Sequence, residues 1–245
     1  MKKILILGAS SDIARASALS FLHDGWEVAL AGRDICTLYD IAQDLKIRSN
    51  AVADIDCYEL DVNNKETFSS LWQSLDQLPD AVLCAVGYLG NQDKARYDDS
   101  EATKILSTNF TSLVPILSQV AADFEKRKSG LIIGISSVAG DRGRASNYTY
   151  GAAKAGFTAY LSGLRNRLAK DNVHVITVNP GFVATRMTED LQLPAVLTAS
   201  PKDVAQDIMK AVHKKRNVIY TKWFWRYIML CVCAVPECIF KKLKF

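Results

Sequence analysis

Ile4-Leu-Ile-Leu7 runs directly into Gly8-Ala-Ser-Ser-Asp12-Ile-Ala14, after which apolar positions recur at helical spacing. A short apolar run ending at a glycine, followed by small and polar residues and then a helix, reads as a strand, a tight turn and a helix start. Unpaired backbone N–H groups and the positive end of the helix dipole converge at such a turn, a favourable place for a pyrophosphate. Many strand-to-helix turns look the same and bind nothing. The stretch therefore sets the fold and leaves the ligand to other residues.

Outward from this unit, apolar runs alternate with segments of helical period, the pattern of a doubly wound parallel α/β sheet. Strands are expected near Lys3 to Leu7, Glu27 to Ala31, Ile55 to Leu60, Ala81 to Ala85, Leu131 to Ile135, His174 to Val178 and Val218 to Tyr220. Helices are expected over Asp12 to His23, Asp34 to Ile47, Lys65 to Leu75, a long stretch ending near Lys126, Tyr148 to Ala169 and Pro201 to His213. Ligands of such sheets gather at the carboxyl ends of the strands.

Tyr150-Gly-Ala-Ala-Lys154 places a phenol and an ammonium on one helix face, one turn apart. A cation beside a phenol favours the phenolate and lowers a pKa that is ordinarily ~10 toward a range useful for proton transfer. Ser137 follows the Leu131 to Ile135 strand, where a hydroxyl can orient a carbonyl. Surface helices produce Tyr-x-x-x-Lys by chance, and the preceding Ser-Ser at a strand end is what raises its weight.

With Asp61-Val62 after the third strand, Asn109 on the helix before the serine strand and Asn179-Pro-Gly-Phe-Val-Ala-Thr185 after the sixth, the chain resembles the short-chain dehydrogenase/reductase family from about Lys2 to about Tyr220. The resemblance implies a Rossmann fold and carbonyl or secondary-alcohol chemistry with a nicotinamide cofactor. It implies Tyr150 as general acid/base, Ser137 as hydrogen-bond donor to the reacting oxygen, and Lys154 on the nicotinamide ribose. By the same likeness Asn109 holds a relay water. Gly8, Ser10, Ser11, Asp12, Ile13, Arg33, Asp61, Val62, Gly87, Lys154, Pro180, Gly181, Val183 and Thr185 are the implied cofactor contacts.

Two departures from the family pattern fall beside the cofactor. Where it carries Gly-x-x-x-Gly-x-Gly, this chain has Gly8, Asp12 and Ala14; the Asp12 carboxylate would repel a pyrophosphate and is expected to turn back and cap the helix. The family's Asn-Asn-Ala-Gly is replaced by Cys84-Ala-Val-Gly87. The second strand closes with Gly32, Arg33 and Asp34 instead of an acidic residue, so a guanidinium is available for a 2′-phosphate and NADP(H) is expected over NAD(H). A solvated turn arginine is the plain alternative for Arg33, and Asp34 reads as a helix cap. Residues 181–200 carry Phe182, Met187, Leu191, Leu193, Val196 and Leu197, either a greasy substrate wall or a lid packed on the protein.

A chain of 245 residues suits one large α/β domain, and a formal charge of +4 without a basic stripe argues against nucleic acid. Six cysteines without a Cys-x-x-Cys pair, and three separated histidines (His23, His174, His213), give no metal-ligand spacing. The thiols are expected to be reduced core residues. No signal peptide is readable, and a cytoplasmic protein is expected.

After residue 221 the composition changes. Trp223 to Val235 is almost wholly apolar, Pro236 interrupts it, and Lys241, Lys242 and Lys244 follow. As a helix these residues reach ~20 Å, short of the ~30 Å of a bilayer core. The division is thus 1–221 as catalytic domain and 222–245 as an apolar, basic tail, suited to lying on the inner face of an anionic membrane or to packing on the domain or a second subunit. Gly87-Tyr-Leu-Gly-Asn-Gln92 together with this tail is similar to the decaprenylphosphoryl-2-keto-ribose reductase branch, which implies a lipid-linked keto-sugar as substrate class. Family members often pair through their long helices, so a homo-oligomer is implied. The competing readings are a catalytically idle NADP-binding sensor or scaffold at a membrane, and a sugar-nucleotide epimerase.

Overall fold

The computed structural model describes residues 1–50, 55–189 and 191–243. Seven strands form one parallel sheet: β1 (Lys3–Leu7), β2 (Glu27–Gly32), β3 (Asp56–Glu59), β4 (Ala81–Cys84), β5 (Gly130–Ile135), β6 (Val173–Pro180) and, after the two-residue pair β7 (Phe182–Val183) and β8 (Thr198–Ala199), β9 (Val218–Thr221). Their order is β3-β2-β1-β4-β5-β6-β9. The chain reverses its winding between β1 and β4, and the crevice of such a sheet opens there.

Near-continuous apolar strands mean both faces are covered, and two sets of helices cover them. α1 (Asp12–His23), α2 (Ile35–Ser49) and α8 (Pro201–His213) pack Ala14, Ala18, Phe21, Leu38, Val204 and Ile208 on one face. On the other lie α3 (Lys65–Ser74), α6 (Leu113–Arg127) and α7 (Tyr148–Leu168), contributing Phe68, Leu117, Phe124, Phe157 and Leu161. Two shorter helices, α4 (Gln92–Ala95) and α5 (Asp99–Leu106), precede α6. The continuous helical stretch Asp99–Arg127 has the length and hydropathy of a membrane span, but Leu113, Ile116, Leu117, Val120 and Phe124 are spent inside this core.

The boundaries follow from caps. Ser11 accepts the Ala14 N–H at 3.2 Å and starts α1. Asp34 lies just outside α2 and accepts from Thr37 N at 3.2 Å and Thr37 Oγ1 at 2.6 Å, as a cap should. Between α5 and α6 the helix widens by one residue over Ser107–Thr111, where the Ser112 N–H reaches the Ser107 carbonyl. Such single π-turns inside a helix recur at functional sites.

The tail packs one side on the domain, one of the dispositions its composition allows. Trp225–Ala234 forms α9 and Glu237–Phe240 forms α10, with Trp225 and Met229 buried against Val138, Phe182, Leu197 and Tyr220. A run apolar on all sides buries one face on the nearest apolar wall, and here that face is the Trp225 and Met229 side of α9. Lys244 lies outside the described residues. The cysteines depart from expectation: Cys84 alone is buried, Cys57 is half-buried, and Cys36, Cys231, Cys233 and Cys238 are exposed. Three of those four lie on or beside the helices of the tail, outside the sheet core.

Candidate active site

Residues from five separated elements meet at the carboxyl ends of β1, β4, β5 and β6. Gly8 turns the chain at φ +76°, and a Cβ there would lie 2.9 Å from the Val86 N. Only glycine lets the β1 turn close on the β4 turn in this way. The amides of Gly8 and Ala9 are taken by the Ala31 carbonyl at 2.9 and 3.0 Å, whereas those of Asp12 and Ile13 open the first turn of α1 without an intrahelical acceptor. The cradle has the shape and polarity of a phosphate site.

Asp12 does not cap α1; Ser11 does. The Asp12 carboxylate instead accepts the Arg186 N–H at 2.9 Å and pairs with Arg186 Nε at 3.4 Å, while Arg186 Nη2 donates to the Ser10 carbonyl. A nearby guanidinium stabilises the carboxylate far better than a helix start whose cap is already filled. Thr185, which caps the turn carrying Arg186, bonds to Thr188, and a pocket of about 460 Å³ opens between Asp12 and residues 184–198. Val183 is buried in the β7–β8 pair, and Pro180 sits beside Thr221 at the ends of β6 and β9.

Arg33 is exposed at the end of β2, and no ion pair engages it among the described residues. Asp61 accepts the Asn63 N–H at 3.0 Å, and the Asn63 side chain in turn bonds Thr108 at 3.1 Å and Ser112 at 3.0 Å. Val62 is buried. These contacts tie the end of β3 to the widened helical turn that carries Asn109.

Around Gly87 the geometry is tight. A Cβ there would lie 3.6 Å from Asn109 Oδ1 and 3.8 Å from Lys154 Nζ, so the three groups surround one small space. Asn109 is fully buried; its amide donates to the Tyr88 and Ile105 carbonyls at 2.7 and 2.8 Å, and its oxygen accepts the Tyr88 N–H at 3.1 Å. The side chain is thereby occupied in holding the β4 loop.

Ser137 and Tyr150 come together because the end of β5 is fastened to α7. Ser136, buried, donates to the Lys154 carbonyl at 3.0 Å and shares a 2.6 Å bond with Thr158. Asn147 supplies no side-chain cap to α7, and Gln92 does so from a distance, accepting the Thr149 N–H at 2.8 Å and donating to Thr149 Oγ1 at 3.1 Å. Glu101 braces the same loop by accepting from Tyr88 Oη and the Asn91 N–H, both at 2.9 Å. Glu101 and Arg186 carry no motif, and the motifs that hold Gln92 and Ser136 do not announce these roles, which arise from long-range contacts.

The electrostatics reverse one expectation. Burial pushes Tyr150 up to about 12, and its hydrogen bond with Ser137 only partly opposes this. Burial also pushes Lys154 down to about 8. The ammonium stands 5.7 Å from the Tyr150 ring centroid and donates to the Ile135 carbonyl at 3.0 Å, so desolvation outweighs its attraction for a phenolate. Among the described residues no group of three His, Cys, Asp or Glu side chains assembles.

A sequence model of short chain dehydrogenases matches residues 2–194. The chain belongs to the short-chain dehydrogenase family. An uncharacterized oxidoreductase of Mycobacterium tuberculosis is 32% identical over 98% of this chain and 96% of its own length. A ketoacyl reductase of Nostoc is 28% identical over 89% of this chain and 77% of its own length. Among solved structures, a short-chain dehydrogenase from Sphingobium yanoikuyae in complex with NADPH superposes with a TM-score of 0.81 at 19% identity, covering 97% of both chains. One from Burkholderia cenocepacia in complex with NADP gives 0.83 at 18% identity, covering 99% of both. These two establish the shared fold, and the protein is an oxidoreductase of this family.

Proposed function

We propose that the protein is an NADP(H)-dependent reductase of a carbonyl compound, with a keto-sugar, free or lipid-linked, as the substrate class. The observation that carries the reading is the convergence of Ser137, Tyr150 and Lys154 beside Gly87, at the mouth of the crevice opened by Gly8. A nicotinamide dinucleotide, when bound, supplies the hydride; the chain's residues do the rest. Gly8, Ser10, Ser11, Ile13 and the first turn of α1 receive the pyrophosphate, with Arg186 offsetting the Asp12 charge. Arg33 would hold a 2′-phosphate, Asp61 and Val62 would border the adenine, and Lys154 would hold the nicotinamide ribose. Pro180, Gly181, Val183 and Thr185 border the nicotinamide. Ser137 and Tyr150 donate hydrogen bonds to the carbonyl oxygen, and Tyr150 gives its proton as negative charge develops there. A phenol pushed up to about 12 keeps that proton at neutral pH, the state that reduction requires.

The exposed side of the tail supports a membrane as the place where such a substrate is met. Trp223, in the turn before α9, and Tyr227 and Leu230 on α9 are 73%, 57% and 67% exposed, with Ile239 and Leu243 beyond. Arg226, Lys241 and Lys242 are exposed alongside them. Aromatic groups bordered by cations suit an anionic lipid surface. NADPH oxidation measured across a panel of ketones and keto-sugars tests the chemistry; absence of any substrate-dependent oxidation, with NADPH bound, overturns it in favour of an idle NADP-binding protein.

A further inference from the structure

The segment after β9 touches both the turn that follows Ser137 and the segment that follows β6. On one side, Trp225 is 5% exposed, meets Phe182 edge-to-face at 5.3 Å between ring centroids and donates its indole N–H to the Leu197 carbonyl at 3.1 Å. Lys222 donates to the neighbouring Val196 carbonyl at 2.9 Å. Gly181 leaves the room this requires: a Cβ there would sit 2.0 Å from Trp225 Nε1. On the other side, Arg142, five residues past Ser137, donates through Nη1 to the carbonyls of Val232, Cys233 and Val235 at 2.7, 3.0 and 2.6 Å. Its Nη2 pairs with Glu237 at 2.9 Å, and the guanidinium lies 3.7 Å from the Phe240 ring centroid.

Carbonyls at the end of a helix carry its negative dipole end and have acceptor capacity left over, the Val232 oxygen taking the Val235 N–H as well, so a planar multi-donor cation is well matched to them. Arg142 is only 14% exposed, and its bonds to Val232 and Val235 are partly buried, while those to Cys233 and Glu237 lie at the surface. Val138, directly after Ser137, joins Trp225 and Met229 in one apolar cluster. The turn after Ser137 and the segment after β6, which leave the sheet at the ends of β5 and β6, thus both contact the same stretch of chain.

We propose that residues 222–240 act as a strap that sets the spacing between the two walls of the substrate cleft, with Trp225 and Arg142 as positioning residues. The kinetic side of this proposal rests on the reductase reading; the structural side does not. The strap makes residues 222–240 part of the site that binds substrate, in place of a separable appendage.

The test uses the full chain and its Trp225→Leu and Arg142→Ala variants, with Arg142→Lys retaining the charge. Amide hydrogen exchange is expected to accelerate about tenfold or more over residues 182–199 in Trp225→Leu, and over 137–141 and 225–235 in Arg142→Ala, with β1 and β2 unchanged. Arg142→Lys is expected to fall between wild type and Arg142→Ala. With a substrate from the ketone panel, KM of Arg142→Ala is expected to rise about tenfold while kcat changes less than about threefold and NADPH affinity stays level. Unchanged exchange in both wall segments, or acceleration spread evenly to β1 and β2, overturns the strap. If no compound is turned over, the exchange pattern still decides the strap, and the reductase reading fails separately.

Discussion

The Lys154 ammonium donates to the Ile135 carbonyl at 3.0 Å from a position 2% exposed, a buried cation answered by a backbone dipole. Burial lowers its pKa from the ordinary 10.5 to about 8. Between those values the unfolded chain binds more protons than the folded one, so stability rises with pH across that window; the cost is fully present below it and gone above it. Lys154→Met removes the dependence. Urea midpoints at about pH 7.5 and about pH 9.5 should show wild type gaining roughly 2 kcal/mol relative to the variant. Tyr150, raised to about 12, acts in the opposite sense only above its ordinary value of 10. Parallel pH curves for wild type and Lys154→Met would remove the buried-cation account.

Tyr150→Phe is expected to cut turnover by ~10²–10⁴-fold while leaving NADPH affinity unchanged in a fluorescence titration. Retention of more than about a tenth of the activity assigns the proton to another group. Because the phenol holds its proton to about 12, oxidation of the corresponding alcohol should quicken as pH rises through the alkaline range, and reduction should not.

Arg33→Ala is expected to weaken NADPH about ten- to a hundred-fold and NADH little, as loss of one charge-assisted phosphate contact dictates. Equal weakening of both cofactors makes Arg33 a solvated turn residue.

The Asp12–Arg186 pair predicts opposite effects of its two halves on cofactor binding. Arg186→Ala leaves the Asp12 carboxylate facing the phosphate cradle uncompensated and should weaken NADPH about tenfold or more by calorimetry, whereas Asp12→Asn should tighten it. Matching losses in both variants would mean that the pair serves the lid alone.

For the outer face of the tail, Trp223→Ser with Tyr227→Ser should abolish sedimentation with anionic vesicles and leave the thermal midpoint unchanged, since both side chains are exposed. Wild-type binding should fall with added salt as charge attraction is screened. Binding equal in the variant, or none by wild type at low salt, assigns this face to another partner.

Local pattern was enough for the sheet, the Asp34 cap and the Tyr150–Lys154 pair, because strand alternation with helix, a cap three residues from its acceptor and an i, i+4 spacing are all fixed by backbone geometry over a few residues. The apolar run after residue 221 was legible in composition, but not where it packs. Tertiary structure alone decided that Asp12 meets Arg186, 174 residues away, and that Arg142 holds Val232, 90 residues away. It also decided that Gln92, the first residue of α4, caps α7 from 57 residues upstream of Thr149. These partners are chosen by which loops the strand order brings to one edge, and no local spacing encodes that. The proton on Tyr150 belongs with them: adjacency to Lys154 follows from the helix, while desolvation, which outweighs it, depends on everything packed around the ring.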